Sequence, residues 1–314
     1  MIILRGKKIC MPGPCVLAVG KFECFHLGHR ALVAEMQRLT RDANGLVSAL
    51  AMFRPHPYRL LVDTGYKPLF TDCEQEYLAG ELNVDYLLEY PFDRDFAGIS
   101  PVDFSRMIFT ELNARVVVVG AGYRFGHKRR GTVQTLQEMA EKYNGRVHVV
   151  TPYGKSGHQN TQHDAIAAKT STSSIRKLLS ENRLSEAEGL LGYPFFVMGE
   201  VTPGRQLGRT IGFPTINLYP ECEKFLPSDG VYSSRVIVGE VCYRGVTNIG
   251  FRPTVEGTGM PRSVETHLLD FDGGELYGRQ VRVELLRFIR PERKFESLNK
   301  LKAQILLDCK QVLA

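Results

Sequence analysis

Two hydrophobic rhythms follow one another along this chain, and their succession constrains the fold more than any other feature. Up to about residue 150, apolar runs at 16–20, 46–53, 86–90, 116–120 and 147–150 alternate with helical signals. Alternation of that kind is the signature of βαβ units and a parallel sheet with right-handed crossovers. Leu32, Met36 and Leu39 fall on one helical face. Thr71 with Glu74 reads as a capping box, and Ser100, Pro101 and Asp103 supply a cap, a first-turn proline and an acidic N3 residue. From about residue 195 the runs become β-rich and are bounded by Gly, Pro and Asp, at 195–201, 231–238, 241–249, 264–271 and 281–288. Such spacing predicts a small antiparallel barrel. Leu298, Leu301, Ile305, Cys309 and Val312 then form a helical face that predicts a terminal helix packed on it.

Between the two rhythms, residues 154–160 are too polar to pack and read as a loop. Ser171, Thr172 and Ser173 would cap a helix carrying Ile175, Leu178 and Leu179, and Ser185 with Glu188 signals a second short helix. The chain therefore divides into an α/β domain over 1–186 and a β-rich domain over 187–314.

At 314 residues and 43% hydrophobic content, the chain can bury two cores. Its seven cysteines are odd in number and show no CxxC spacing, which fits reduced thiols in a cytoplasmic protein. The apolar start at Met1 breaks at Arg5, Lys7 and Lys8, so neither an export leader nor a membrane span is expected. A net charge of +6 is modest for this length, and Lys128, Arg129 and Arg130 lack aromatic interleaving. Small anionic substrates are expected rather than nucleic acid or a membrane; self-association is left open.

The chemistry concentrates in a few segments. His26-Leu27-Gly28-His29 follows the first long apolar run at a predicted strand-to-helix turn, after Gly20 and Phe22. Imidazoles there can donate to phosphoryl oxygens while free helix N–H groups face the same anion. Cys24, His26 and His29 also offer a thiolate and two imidazoles, but no fourth zinc ligand lies at a customary spacing. Ser171, Ser173 and Arg176 at a helix start suit the β- and γ-phosphates of a nucleotide, beyond what capping alone requires. The Gly120–Gly126 stretch closes the fourth predicted strand at its carboxyl end, the usual ligand edge. In the second half, Thr215 and Asn217 share a face two residues apart, and Gly208 and Gly212 permit close backbone approach. That pair suits oxygen ligation of Mg²⁺ carrying a nucleotide phosphate. Glu265, on an inward-facing strand position, can accept a proton from a substrate hydroxyl, and His267 shares its face.

Together these segments resemble the bacterial bifunctional riboflavin kinase/FMN adenylyltransferase family almost end to end. Further matching segments are 53–57 (FRPHP), 96–101 (FAGISP), 124–126 (RFG), 190–194 (LLGYP), 248–254 (NIGFRPT) and 270–273 (DFDG). The resemblance implies a Rossmann-like nucleotidyltransferase domain followed by a Greek-key β-barrel with a C-terminal helix. It implies that Glu265 is the base at the riboflavin 5′-hydroxyl, with Gly208, Thr215 and Asn217 at the ATP phosphates and Mg²⁺. It implies that His26 and His29 stabilise transfer of the ATP α-phosphate to FMN, with Gly20, Phe22, Gly28, Ser171, Ser173 and Arg176 around the nucleotide. His56, Arg124, Phe125, Asn248 and Arg252 would contact flavin; FMN and FAD would be the products.

The departures lie in the first domain. The family usually reads Gly-Asn-Phe-Asp-Gly-Val before the first histidine, where this chain has Gly20-Lys21-Phe22-Glu23-Cys24-Phe25, and Gly122 stands where Asp or Asn is common. One alternative is therefore a competent kinase with a degenerate adenylyltransferase domain; a non-catalytic flavin-binding protein is another. A class I aminoacyl-tRNA synthetase shares the His-x-Gly-His turn, but no anticodon module is apparent here.

Overall fold

A computed structural model describes residues 1–151, 170–204, 207–221, 224–251, 262–271 and 273–313. The polar stretch 154–160, Arg252 and residues 253–254, and Asp272 lie outside the described residues. Internal contacts group the chain into two units: Met1–Pro68 with Gln75–Thr172, and Leu69–Glu74 with Ser173–Ala314.

The first unit is a six-stranded parallel sheet with helical crossovers. Its strands are β1 (Ile2–Arg5), β2 (Cys15–Val19), β3 (Val47–Arg54), β4 (Tyr86–Pro91), β5 (Ala114–Gly120) and, after the two-residue strands β6 (Arg124–Phe125) and β7 (Gly131–Thr132), β8 (Arg146–Val150). The order is β1-β4-β3-β2-β5-β8. Every residue of β2 is buried, as a central strand covered on both faces requires. All five predicted strands form, each within two residues of its expected bounds. β1 was missed. It is four residues long, half exposed, and gains its pairing only from Tyr86–Glu89 of β4.

Helix α1 (Leu27–Arg41) joins β2 to β3 and buries Val33, Met36 and Leu39. Leu32, expected on that face, is half-buried instead, because the contact stripe runs through the neighbouring i, i+3, i+6 positions. The Ser100 cap forms: its hydroxyl accepts from Asp103 N at 3.0 Å, with Pro101 opening the helix. Sequential strands run outward to both sides of β2, so the order reverses between β2 and β5. That switch point opens a crevice at the carboxyl ends of the strands.

In the second unit, β9 (Phe196–Glu200), β10 (Thr215–Leu218), β11 (Gly230–Val238), β12 (Val241–Phe251), β13 (Arg262–Leu268) and β14 (Gln280–Arg290) form an antiparallel sheet ordered β10-β13-β12-β11-β14-β9. β11, β12 and β13 form a meander and β14 returns beside β11, which is a Greek key. The edges meet where Thr202, just past β9, bridges Asn217. Thr247, Ser234 and Thr266, each at most 1% exposed, hydrogen-bond to one another on the covered face. The helix Leu298–Leu313 packs Ile305, Cys309 and Val312 near Phe213, Val231, Val246 and Leu269. Leu298, expected on this face, is 52% exposed because it is the helix's first residue, ahead of the packed stretch. Ser185 does not cap its helix. That helix runs Leu184–Leu191 with Arg183 at the N-cap and no side-chain cap bond, and ends at Gly192, whose φ of 83° suits glycine.

Glu74 of the Thr71 capping box does more than cap. Its Oε2 accepts from Thr71 N at 2.8 Å and pairs with Lys224 Nζ, while its Oε1 accepts from Met198 N at 2.8 Å. Lys224 also donates to Leu69 O at 3.0 Å and lies 4.8 Å from the Phe70 ring centre. Burial lowers its pKa, opposed by Glu74.

Candidate active sites

The turn at the carboxyl end of β2 is built from close packing. A Cβ on Gly20 would come within 2.9 Å of the Phe22 ring, so the ring can fold back only over glycine. Phe22 and Phe25 hold φ of 43° and 38°, unfavourable for residues with a side chain, and both rings are fully buried and stacked at 5.6 Å. Cys24, at the family's second glycine, needs no positive φ; it is buried, with Sγ 3.7 Å from Thr172 Oγ1. The change to cysteine is therefore accommodated by the backbone. A Cβ on Gly122 would likewise meet nothing within 4 Å.

His26 caps α1, its Nδ1 accepting from His29 N at 3.4 Å, and the two imidazoles stack at 3.8 Å. The cap fixes the His26 tautomer, leaving its proton on Nε2. Burial pulls the His26 pKa down to about 4. Burial, reinforced by His26, takes His29 well below its usual value. Both rings are neutral donors near pH 7. His29 Nδ1 is buried without a hydrogen-bond partner among the described residues, an orphaned polar atom that a ligand would satisfy. Gly28 is the second residue of α1.

Glu23 is 1% exposed, with Tyr66 OH donating to its Oε2 at 2.5 Å and His56 Nε2 lying 3.4 Å from the same oxygen. His56 Nδ1 accepts from Tyr58 N at 3.2 Å, so both ring nitrogens already have protein neighbours. Arg124 is exposed, whereas Phe125 is 6% exposed and packs in the core against Phe104 and Tyr123. Ser171 and Thr172 group with the first unit; Ser173 and Arg176 group with the second, where the Arg176 guanidinium lies 4.8 Å over Phe225.

In the second unit the registers assemble a row. Asn217 on β10 faces Glu265 on β13, which faces Asn248 on β12. Directly paired residues share a face, so these side chains lie side by side, with Thr215 opposite His267 next along. Glu265 is on the half-buried face, not the covered one, because Thr266 takes the inward position. Its Oε1 accepts from Ser263 Oγ at 3.3 Å. Asn217 is 5% exposed and presses on Gly204, where a Cβ would come within 2.5 Å of its amide. A Cβ on Gly208 would lie 2.2 Å from Phe213 O, which fixes glycine in the loop before Pro214. His267 Nδ1 donates to Pro214 O at 2.8 Å, holding that loop against β13. Thr215, Asn217 and Glu265 offer hard oxygen donors only, a set that fits a divalent cation such as Mg²⁺.

Sequence reasoning missed Tyr66, which lies in a stretch without periodicity, and Glu292, which accepts from Asn248 Nδ2 at 3.1 Å. Neither sits in a motif, and only the tertiary contacts reveal them.

Family models match both halves: FAD synthetase over residues 9–163 and riboflavin kinase over 191–314. The bifunctional riboflavin kinase/FMN adenylyltransferase of Escherichia coli K12 is 38% identical over 98% of this chain and 96% of its own length. That of Bacillus subtilis 168 is 33% identical over 95% and 91%. A crystal structure described as a macrolide-efflux protein from Streptococcus pneumoniae superposes with a TM-score of 0.82 at 26% identity, covering 99% of this chain and 98% of that one. Among the described residues no helix is long and apolar enough to cross a membrane. By identity, coverage and both domain matches, the chain belongs to the bifunctional riboflavin kinase/FMN adenylyltransferase family.

Proposed function

We propose that this chain phosphorylates riboflavin to FMN and adenylylates FMN to FAD, with ATP as the donor in both steps. The observation that carries the reading is the cross-strand row Asn217–Glu265–Asn248 beside Thr215. Glu265 takes the proton of the ribityl 5′-hydroxyl as its oxygen attacks the γ-phosphorus, and ADP leaves. The Thr215 hydroxyl and the Asn217 amide oxygen would hold Mg²⁺, which would supply neutralisation of phosphate charge. Gly208 keeps the loop close to the nucleotide, and Asn248 contacts the flavin.

In the adenylyltransferase site, an FMN phosphate oxygen attacks the α-phosphorus of ATP and pyrophosphate leaves. Neutral His26 and His29 donate hydrogen bonds to the charge that develops on the phosphoryl oxygens. Gly20, Phe22 and Gly28 shape the turn; Ser171, Ser173 and Arg176 hold the leaving pyrophosphate. His56 and the exposed Arg124 form the flavin side, and Phe125, buried against Phe104 and Tyr123, supports that side from the core instead of touching the flavin. The adenylyltransferase occupies 1–186, the kinase 187–314, and the protein works on small molecules in the cytoplasm.

Purified protein with riboflavin, ATP and Mg²⁺ forms FMN, and with FMN and ATP it forms FAD and pyrophosphate. Absence of FMN after long incubation overturns the kinase reading. Absence of FAD under the same conditions leaves a kinase with a degenerate first domain.

A further inference from the structure

In the His-x-Gly-His turn, Glu23 stands where the family usually has the shorter aspartate, and its longer side chain has found partners in another segment. Tyr66 OH and His56 Nε2 both address Glu23 Oε2, at 2.5 and 3.4 Å. The Tyr58 N–H bond to His56 Nδ1 leaves the proton on Nε2, so the imidazole is a donor toward the carboxylate. The Tyr66 ring stacks on His56 at 5.2 Å, and Tyr58 meets it tilted by 44° at 4.8 Å. One buried oxygen thus anchors a stacked pair with a third ring tilted against it.

The turn is already fixed by the buried Phe22 and Phe25 rings, the His26 cap and the Arg30 bond to Phe25 O at 3.2 Å. The aromatic stack rests on weaker foundations. It follows the carboxyl end of β3 on a five-residue helix, Pro57–Leu61, and the stretch after it, where Leu61 and Val62 are 61% and 66% exposed. A carboxylate held at 1% exposure is the rigid partner in that pairing. The stack stands at the carboxyl edge of β3, beside the turn that follows β2, on the ligand edge of the sheet.

We propose that Glu23 and Tyr66 are positioning residues for FMN in the adenylyltransferase site: their hydrogen bond holds the His56–Tyr66 stack, flanked by Tyr58, as the aromatic wall against which the isoalloxazine ring is placed. The inference rests on the adenylyltransferase reading above. It assigns to the change from Asp to Glu a specific role, reach to the Tyr66 hydroxyl, in place of a loss of function.

Steady-state FAD formation from FMN and ATP with Mg²⁺ tests it in the full-length protein, using Tyr66→Phe, Glu23→Gln and the double variant. Tyr66→Phe keeps the ring and removes only the donor. Each single variant is expected to raise KM for FMN about ten-fold while kcat and KM for ATP stay within about two-fold, the signature of lost substrate placement. The double variant matches Glu23→Gln alone, because both changes break one interaction. FMN formation from riboflavin, measured on the same samples, reports that the second domain is folded, and the retained kcat for FAD formation reports the first. A KM for FMN unchanged in Tyr66→Phe, a fall in kcat without a change in KM, or additive effects overturns the inference while wild-type FAD formation stands. A wild type that makes no FAD overturns the adenylyltransferase reading and the inference with it.

Discussion

At the scale of single residues, the two sites use opposite chemistry. Glu265 lies between two amides, and Glu265→Gln keeps the shape while removing the proposed base. FMN formation should fall by about 10²–10⁴-fold, as for loss of a general base, with FAD formation from supplied FMN unchanged. His26, held neutral by burial, is the proposed donor in the other site. His26→Asn retains an N-cap for α1 but loses the ring, and FAD formation should drop by about 10²–10³-fold while FMN formation continues. The same variant reads the pKa. Burial pulls the folded His26 down to about 4 from the ordinary imidazole value of 6.5, so as pH falls the unfolded chain binds the proton first. Stability contributed by the neutral ring is therefore complete above about 6.5 and is lost as pH falls toward 4. Urea midpoints measured across that range should decline more steeply for wild type than for His26→Asn.

At the scale of elements, close approach and buried charge decide. Gly208→Ala puts a methyl 2.2 Å from Phe213 O, so the loop before Thr215 must open. FMN formation should fall sharply with FAD formation from FMN retained, assayed side by side. Glu74 and Lys224 show why a local motif underspecifies its element. Thr71-x-x-Glu74 was legible as a capping box, yet the carboxylate also neutralises a fully buried lysine from a segment 150 positions away. Glu74→Gln leaves that lysine uncompensated and should cost about 3–5 kcal/mol in urea unfolding. Adding Lys224→Met should recover most of the loss, since it removes the buried charge that Glu74→Gln leaves uncompensated. β1 was illegible for the related reason that a short edge strand takes its pairing from a partner 84 residues distant.

At the scale of the whole molecule, two chemistries share one chain, and they should separate cleanly. Given riboflavin and ATP, the His26→Asn protein should accumulate FMN, whereas Glu265→Gln should yield neither product until FMN is supplied; chromatography of the flavins distinguishes the cases. Most of the architecture was readable because hydrophobic period depends on local geometry: period near thirty for βαβ units, short bounded runs for the barrel. The motif positions were readable too, since Thr215 and Asn217 share a strand face by alternation alone. What stayed hidden depended on register and distance. Which face Glu265 occupies, and that Asn217 and Asn248 flank it, follows from strand pairing that a single strand's sequence does not encode. That Cys24 fits its turn, and that Glu23 reaches Tyr66, depends on backbone angles and contacts between segments remote in sequence. The sequence by itself determined the two folds and the residue types available for phosphate chemistry, because periodicity and turn chemistry are local. Only the tertiary structure decided which of those residues meet and in what ionisation state, because proximity and burial are properties of the packed chain.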